Sequence, residues 1–202
     1  ITVCAEPLFA TKWIVPRLHR FYARCPEAEV RLQASLHSVD QSRGSDFGVS
    51  HMRRAGIDVS VRLGYGDYAN LEPQRLMSLE LVPMSKPGLI SRVKTIKSLA
   101  EHPLLSDSTL SRFDKPCGWY EWFSKQDCKK TKFSRELQFG NGLLALEAAL
   151  SGQGVLLGIK DMLHLELAAN KLEVVIDRPM CCDQAYYVCL LYTSDAADDL
   201  FR

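Results

Sequence analysis

Five histidines and seven cysteines are the side chains of this 202-residue chain best equipped to make and break bonds, and neither set is arranged to do so. His19 and His164 fall on helical runs, His102 precedes Pro103, and no histidine has a partner at metal-ligand or nucleophile spacing. The cysteines include no CxxC pair, and the adjacent Cys181 and Cys182 cannot both bind one tetrahedral metal without strain. Their odd number and irregular spacing argue against a disulfide framework and fit the reduced, buried thiols of a cytoplasmic protein. Neither GxSxG nor HExxH occurs, and no two carboxylates are spaced for acid–base work. The expectation is a protein that is not an enzyme, with no catalytic residue, no metal and no cofactor.

Three short stretches are better suited to holding a polar molecule. Pro7–Thr11, in "EPLFAT", opens a helix, where unbonded N–H groups and the positive end of the helix dipole can receive an anion; the plainer alternative is a loop capped by Thr11. "RLGYGDY" follows a strand, with Gly64 and Gly66 permitting close backbone approach and Tyr65 offering a ring and a hydroxyl. No glycine-rich helix start follows it, which rejects a dinucleotide fingerprint and leaves an ordinary turn as the rival. Asn141, in Gly140–Asn141–Gly142, is an N-cap candidate whose amide can also donate to a ligand. Arg62 follows an alternation that points it away from the core, towards a structural salt bridge.

The elements that must position these stretches alternate. "ITVCA" is β-branched and apolar. In "FATKWIVPRLHRFYARCP", Trp13, Val15, Leu18, Phe21 and Tyr22 fall at helical spacing, with Pro16 suited to open the main helix and Pro26 to end it. "EVRLQAS" alternates Val30, Leu32 and Ala34, "SDFGVSHMRRAG" reads as a helix stopped at Gly56, and "IDVSVRLG" alternates Ile57, Val59, Val61 and Leu63. Strand and helix in alternation predict a parallel sheet with helical crossovers. Two extended runs end at Lys86–Pro87–Gly88, and a second alternation follows. "IKSLAEH" and "GWYEWFSKQ" read as helices, the latter packing Trp119, Trp122 and Phe123; "PLLSD" and "RELQFG" read as strands. In "LLALEAALSGQGVLLG" a helix buries Leu143, Leu146, Ala149 and Leu150, with Glu147 as the stripe's one charged member. Gly152 stops it, and "VLLGI" is a central strand buried on both faces. "DMLHLELAANKLEVV" gives a short helix and a strand, and "AYYVCLLY" a late strand returning to the first lobe.

The length suffices for two lobes with their own cores. Net charge is +1, and the basic clusters at Arg53–Arg54 and Lys129–Lys132 are too small to serve as a nucleic-acid footprint. No apolar run approaches the roughly 20 residues of a membrane span, and no export signal is visible. Because the chain opens directly on a strand without an initiator Met, it reads as cut from something longer.

Four segments carry a family resemblance: "PLFATKWIVPRLHRFYARCPEAEVRL", "IDVSVRLGYGDY", "LELVPM" and "LQFGNGLLALEAALSGQGVLLG". In order and spacing they resemble the effector-binding domain of LysR-type transcriptional regulators, in the branch of the glycine-cleavage activator and the β-lactamase regulator, over roughly residues 1–190. The resemblance implies an α/β, type 2 periplasmic-binding-protein-like fold. Two α/β lobes, residues 1–81 with 185–202 and residues 82–184, would be joined by two crossover strands around a ligand cleft. It implies a cytoplasmic homodimer or homotetramer that senses a small polar or anionic effector and contacts DNA only through a winged helix-turn-helix missing from this chain, with no membrane partner. Exposed parts of Pro16–Arg24 and of the Leu143–Leu150 helix would be subunit contacts.

The ligand-contacting set implied is Leu8, Phe9, Thr11, Gly64, Tyr65, Gly140, Asn141, Gly142 and Tyr186, with Tyr186 equally readable as a cross-strand aromatic. This chain departs from the family at Leu8, where relatives place Ser or Thr, and at Gly140–Asn141–Gly142, where they often place acidic or hydroxyl residues. "LYTSDAADDLFR" replaces a closing amphipathic helix and resembles a frameshifted or adapter-derived end, so no function is read from 193–202. Two rivals share the architecture: a transporter's solute-binding protein, and an enzyme such as a deaminase or dehydratase.

Overall fold

A computed structural model describes residues 1–40, 47–68, 71–90, 95–128 and 131–190. Lys129, Lys130 and the tail 193–202 lie outside them. In chain order the elements are β1 (Thr2–Ala5), α1 (Pro7–Phe9), a π-helical turn (Ala10–Ile14), a 3-10 turn (Val15–Arg17), α2 (Leu18–Tyr22), β2 (Arg31–Ala34) and a 3-10 turn (Leu36–Ser38). Next come α3 (Phe47–Ala55), β3 (Val59–Gly64), β4 (Gln74–Ser85), α4 (Ile96–Leu99), β5 (Pro103–Asp107), α5 (Ser108–Ser111), α6 (Trp119–Lys125) and β6 (Arg135–Phe139). The chain continues through α7 (Gly142–Leu150), β7 (Val155–Ile159), α8 (His164–Ala168), β8 (Glu173–Val174) and β9 (Met180–Leu190). It divides into two compact units, Ile1–Ser78 with Gln184–Arg202 and Leu79–Asp183, so the boundaries fall inside β4 and inside β9.

In the first unit β1 pairs in parallel with β2 and β3, and β9 returns antiparallel to β3, with Tyr186 opposite Leu63. Cys4, Met52, Ile57, Tyr68, Leu71 and Cys189 form a buried cluster beneath this sheet. Strand β3 is buried on both faces apart from the half-buried Val59, which removes the exposed side the alternation implied. Arg62 is therefore 1% exposed rather than turned outward. Its Nε donates to Asp40 Oδ2 at 2.6 Å, its Nη2 donates to Asp40 Oδ1, and Nη2 also donates to the His37 carbonyl at 3.0 Å. Burial opposes the guanidinium charge, but the hydrogen bonds and charge of Asp40 outweigh it and hold the Arg62 pKa above its ordinary value. The expected salt bridge is present, inside the core.

Pro16 does not open the helix. Helical backbone already begins at Pro7, and Pro16 sits within the 3-10 turn. Lacking an N–H and crowding the carbonyl four residues back, a proline there breaks the α-helical ladder, and the turn before it widens to a π-turn closed by Val15 N–H donating to Ala10 O. Trp13, Leu18 and Phe21 are half-buried, and Val15 and Tyr22 are exposed. The expected buried face of β2 is also weaker: Val30 and Leu32 are half-buried and Ala34 exposed, because this strand pairs on one side only, with β1.

In the second unit β7 lies between β5, parallel to it, and β4, antiparallel to it; β6 extends the sheet beyond β5. All five residues of β7 are buried, as expected of a central strand. A single twelve-residue strand, β4, replaces the two extended runs. Asn141 caps α7, its Oδ1 accepting from Leu144 N–H at 3.0 Å, and Gly152 follows the helix at φ +76°. The buried stripe of α7 is Gly142, Ala145, Leu146 and Ala149. Leu143 and Leu150 are half-buried and Glu147 is exposed, so the stripe is rotated from its expected position and carries no charge. On α6, Trp119, Trp122 and Phe123 are all buried, with ring centroids 5.1–5.9 Å apart.

Removing one partner from the Asp40–Arg62 pair strands a buried charge. Asp40→Ala should therefore cost about 3–5 kcal/mol in urea unfolding, whereas an apolar double replacement at both positions should recover much of that loss.

Candidate functional site

The first helix start is already occupied. Glu6, 1% exposed, occupies the N-cap, and its carboxylate accepts from Leu8 N–H (Oε1, 3.0 Å) and Phe9 N–H (Oε2, 3.1 Å). The Tyr186 hydroxyl donates to the same Oε2 at 3.1 Å. A carboxylate thus sits where an anionic ligand was expected, and it comes from the chain. This corrects both expectations for Pro7–Thr11: Leu8 and Phe9 N–H are not free, and the cap is Glu6, since Thr11 is exposed within the π-turn. Phe9 is fully buried, its ring 4.6 Å from Tyr186 and 5.1 Å from Trp13, and Leu8 is 5% exposed. Tyr186 is both a cross-strand aromatic and a hydrogen-bond donor, buried at 1% exposure.

Tyr65 is half-buried at the end of β3. Its hydroxyl accepts from Gln184 Nε2 at 3.0 Å, and its carbonyl accepts from the Tyr187 hydroxyl at 3.2 Å. The space beside the two flanking glycines belongs to the protein. A Cβ at Gly64 would lie 2.5 Å from the Tyr68 hydroxyl, and one at Gly66 (φ +78°) 2.5 Å from the Tyr187 ring. Glycine is required at both positions for close approach of these tyrosines.

In the second unit Gly140 is exposed, Asn141 half-buried and Gly142 buried. The Asn141 oxygen is committed to the cap, leaving its Nδ2 as the donor able to face a ligand. The structure therefore gathers Leu8, Phe9 and Tyr186 around Glu6, and Tyr65 beside Gln184 and Tyr187, while Gly140–Asn141–Gly142 form a separate helix start. Two cavities in the second unit involve none of the expected residues. One of about 810 Å³ is lined by Lys97, Glu101, Asp127 and Lys132 among others; one of about 210 Å³ is lined by Ser106, Cys117, Tyr120, Glu136 and Gln138 among others. Among the described residues no group of three or more His, Cys, Asp or Glu could hold a metal, and no helix is long and apolar enough to cross a membrane.

Glu6 and Gln184 are the residues that sequence reasoning missed. An acidic residue immediately before a proline is a helix-start signal, with an N-cap acceptor and Pro at N1, and it was available in "EP". Gln184 carries no such signal, because its role depends on the register that brings β9 beside β3. Glu6→Ala should destabilise the protein by about 2–4 kcal/mol. Acetate should raise the melting temperature of that variant more than chloride at equal ionic strength, and should do neither for the parent.

Known proteins give this geometry a context. Its relatives include the glycine cleavage system transcriptional activator of Escherichia coli K12, 28% identical over 191 residues, which cover 93% of this chain and 57% of the activator. The HTH-type transcriptional activator AmpR of Pseudomonas aeruginosa is 28% identical over 173 residues, covering 85% of this chain and 53% of AmpR. The chain thus spans little more than half the length of these regulators. The solved effector domain of Pseudomonas aeruginosa AmpR superposes with a TM-score of 0.76 at 26% identity, covering 96% of this chain and 85% of that domain. The AmpR effector binding domain of Citrobacter freundii gives a TM-score of 0.77 at 21% identity, covering 95% and 87%, and supports the fold. These domains have the type 2 periplasmic-binding-protein-like fold expected from the sequence. The family model for the LysR substrate binding domain matches residues 1–199, and the chain belongs to that family.

Proposed function

We propose that this chain is the effector-sensing and dimerisation part of a LysR-type transcriptional regulator, binding a small polar metabolite in the cleft that the family places between its lobes. The observation that carries this reading is the family match across residues 1–199, together with relatives that are transcriptional activators. Lobes of residues 1–81 with 185–202 and 82–184 remain part of the proposal. So do a cytoplasmic location, a homodimer or homotetramer, DNA contact through a segment outside this chain, and the absence of enzymatic turnover.

Binding acts in this reading by differential affinity: the effector shifts the equilibrium between two arrangements only as far as it prefers one of them. The nine expected contact residues are proposed as the site's neighbourhood, with unequal roles. Tyr65 and the Asn141 amide supply polar contacts, Thr11 is open to solvent, and Leu8, Phe9 and Tyr186 support the Glu6 cap from within. Because Glu6 holds the first helix start, an anionic group on the effector is better met by Asn141 than by Leu8 and Phe9. The apolar helix run with Val15 51% exposed and Tyr22 39% exposed supports a subunit contact there.

A thermal-shift screen of amino acids, peptides and aromatic acids tests the reading. Asn141→Ala is a poor probe, since losing the cap alone costs about 1 kcal/mol. Asn141→Asp keeps a capping oxygen and removes the amide donor. It should leave the unliganded melting temperature near the parent's and reduce a carboxylate's shift at least tenfold in ligand concentration. Equal shifts in variant and parent would remove Asn141 from the site, and turnover of any panel member would revive the enzyme reading.

A further inference from the structure

The cavity of about 210 Å³ in the second unit combines carboxylates with apolar side chains. Asp107 ends β5, Glu136 stands on β6 and Glu121 stands in α6, and all three line it. Among the described lining residues none is basic. Each acid is fixed from one side only. Asp107 Oδ1 accepts from the Thr109 N–H at 2.9 Å and from the Thr109 hydroxyl at 2.6 Å. Glu136 Oε1 accepts from the Ser106 hydroxyl at 2.5 Å, and Glu121 Oε2 accepts from Gly118 N–H at 2.9 Å. The second oxygen of each carboxylate accepts from no described residue.

The Asp107 carboxyl is deeply set. Burial pushes its pKa up, against the Thr109 hydrogen bonds and the Arg112 charge that favour the carboxylate. Negative groups gathered around one hollow raise the free energy of the empty state, and a cation entering it relieves them. The rest of the lining favours a cation with a carbon stem: Leu110, Trp119 and Leu157 are all buried there. The Trp119 indole is held in place, its Nε1 donating to Leu105 O at 3.1 Å.

We propose that this cavity binds a small organic ammonium, its N–H donors shared among the carboxylates and its stem laid against Trp119 and Leu157. A metal ion is the poorer occupant, because among the described residues no group of three or more His, Cys, Asp or Glu could hold one. An ammonium carries three donors and needs no such close convergence of acids. The volume exceeds the roughly 150 Å³ of a cavity that accepts benzene, which leaves room for a short-chain amine. The site lies wholly within Leu79–Asp183 and uses none of the nine residues expected to contact the effector. It is therefore a second site, and its test is separate from that of the interlobe reading.

The test follows the indole N–H signals of the intact chain by nitrogen-15 NMR at pH 7 while n-butylammonium chloride is added. A ligand this small binds in the millimolar range, so the titration runs to about 50 mM. The Trp119 signal should move saturably, while that of Trp13, in the first unit, should stay in place. Sodium butyrate and magnesium chloride at equal ionic strength should move neither. Glu136→Gln and Asp107→Asn, the latter keeping a capping oxygen for α5, should each weaken butylammonium binding about tenfold. An unmoved Trp119 signal, an equal response to butyrate, saturation by magnesium, or variants that bind as the parent does would each overturn the assignment. The preference for ammonium over butyrate is read on the parent itself, so poor folding of a variant does not obscure the result.

Discussion

The carboxylate of Glu6 is the constraint around which the first unit's candidate site is arranged. A buried carboxylate is costly unless its lone pairs are met, and here they are met by Leu8 N–H, Phe9 N–H and the Tyr186 hydroxyl. Those bonds join the helix after β1 to β9, a strand from the other end of the chain. Phe9 is held against Tyr186 by the same geometry, so the aromatic contact and the cap reinforce one another. The position that would offer a ligand two backbone donors has become a self-contained structural joint.

A buried charge pair supports the same sheet from β3. Arg62 and Asp40 satisfy one another, and the guanidinium also reaches the His37 carbonyl. Such pairs contribute little net stability relative to apolar side chains, but they are unforgiving of single substitutions. Tyr65 lies three residues after Arg62, just past the end of β3, so the ion pair fixes the strand that presents the Tyr65–Gln184 hydrogen bond.

Much of the fold was legible in the residues because local signals agreed. The Asn141 cap, the glycine after α7, the unbroken apolar run of β7 and the tryptophan spacing of α6 all read correctly. The readings that failed share a physical cause: each assumed that a local pattern has only one meaning. Pro16 suits a first helical turn, yet the helix had already started at the more strongly signalled Glu6–Pro7. Alternation in β3 implied one covered face, but this strand is buried on both, so Arg62 faces inward. The rotated stripe of α7 arose because leucines are apolar wherever they point, while small residues let the helix approach the sheet. The Glu6–Tyr186 and Tyr65–Gln184 bonds depend on strand register, which periodicity cannot supply.

The central proposal, carried by the family match, is that one effector engages Gln184 and Asn141 and is read as a change of arrangement, not consumed. Its most direct test is a nitrogen-15 NMR titration of the protein with a ligand found by screening, following the side-chain amides of Gln184 and Asn141. The account predicts that both signals move along the titration with a single dissociation constant and that the ligand is recovered unchanged. Movement of only one amide, or two distinct dissociation constants, would contradict it.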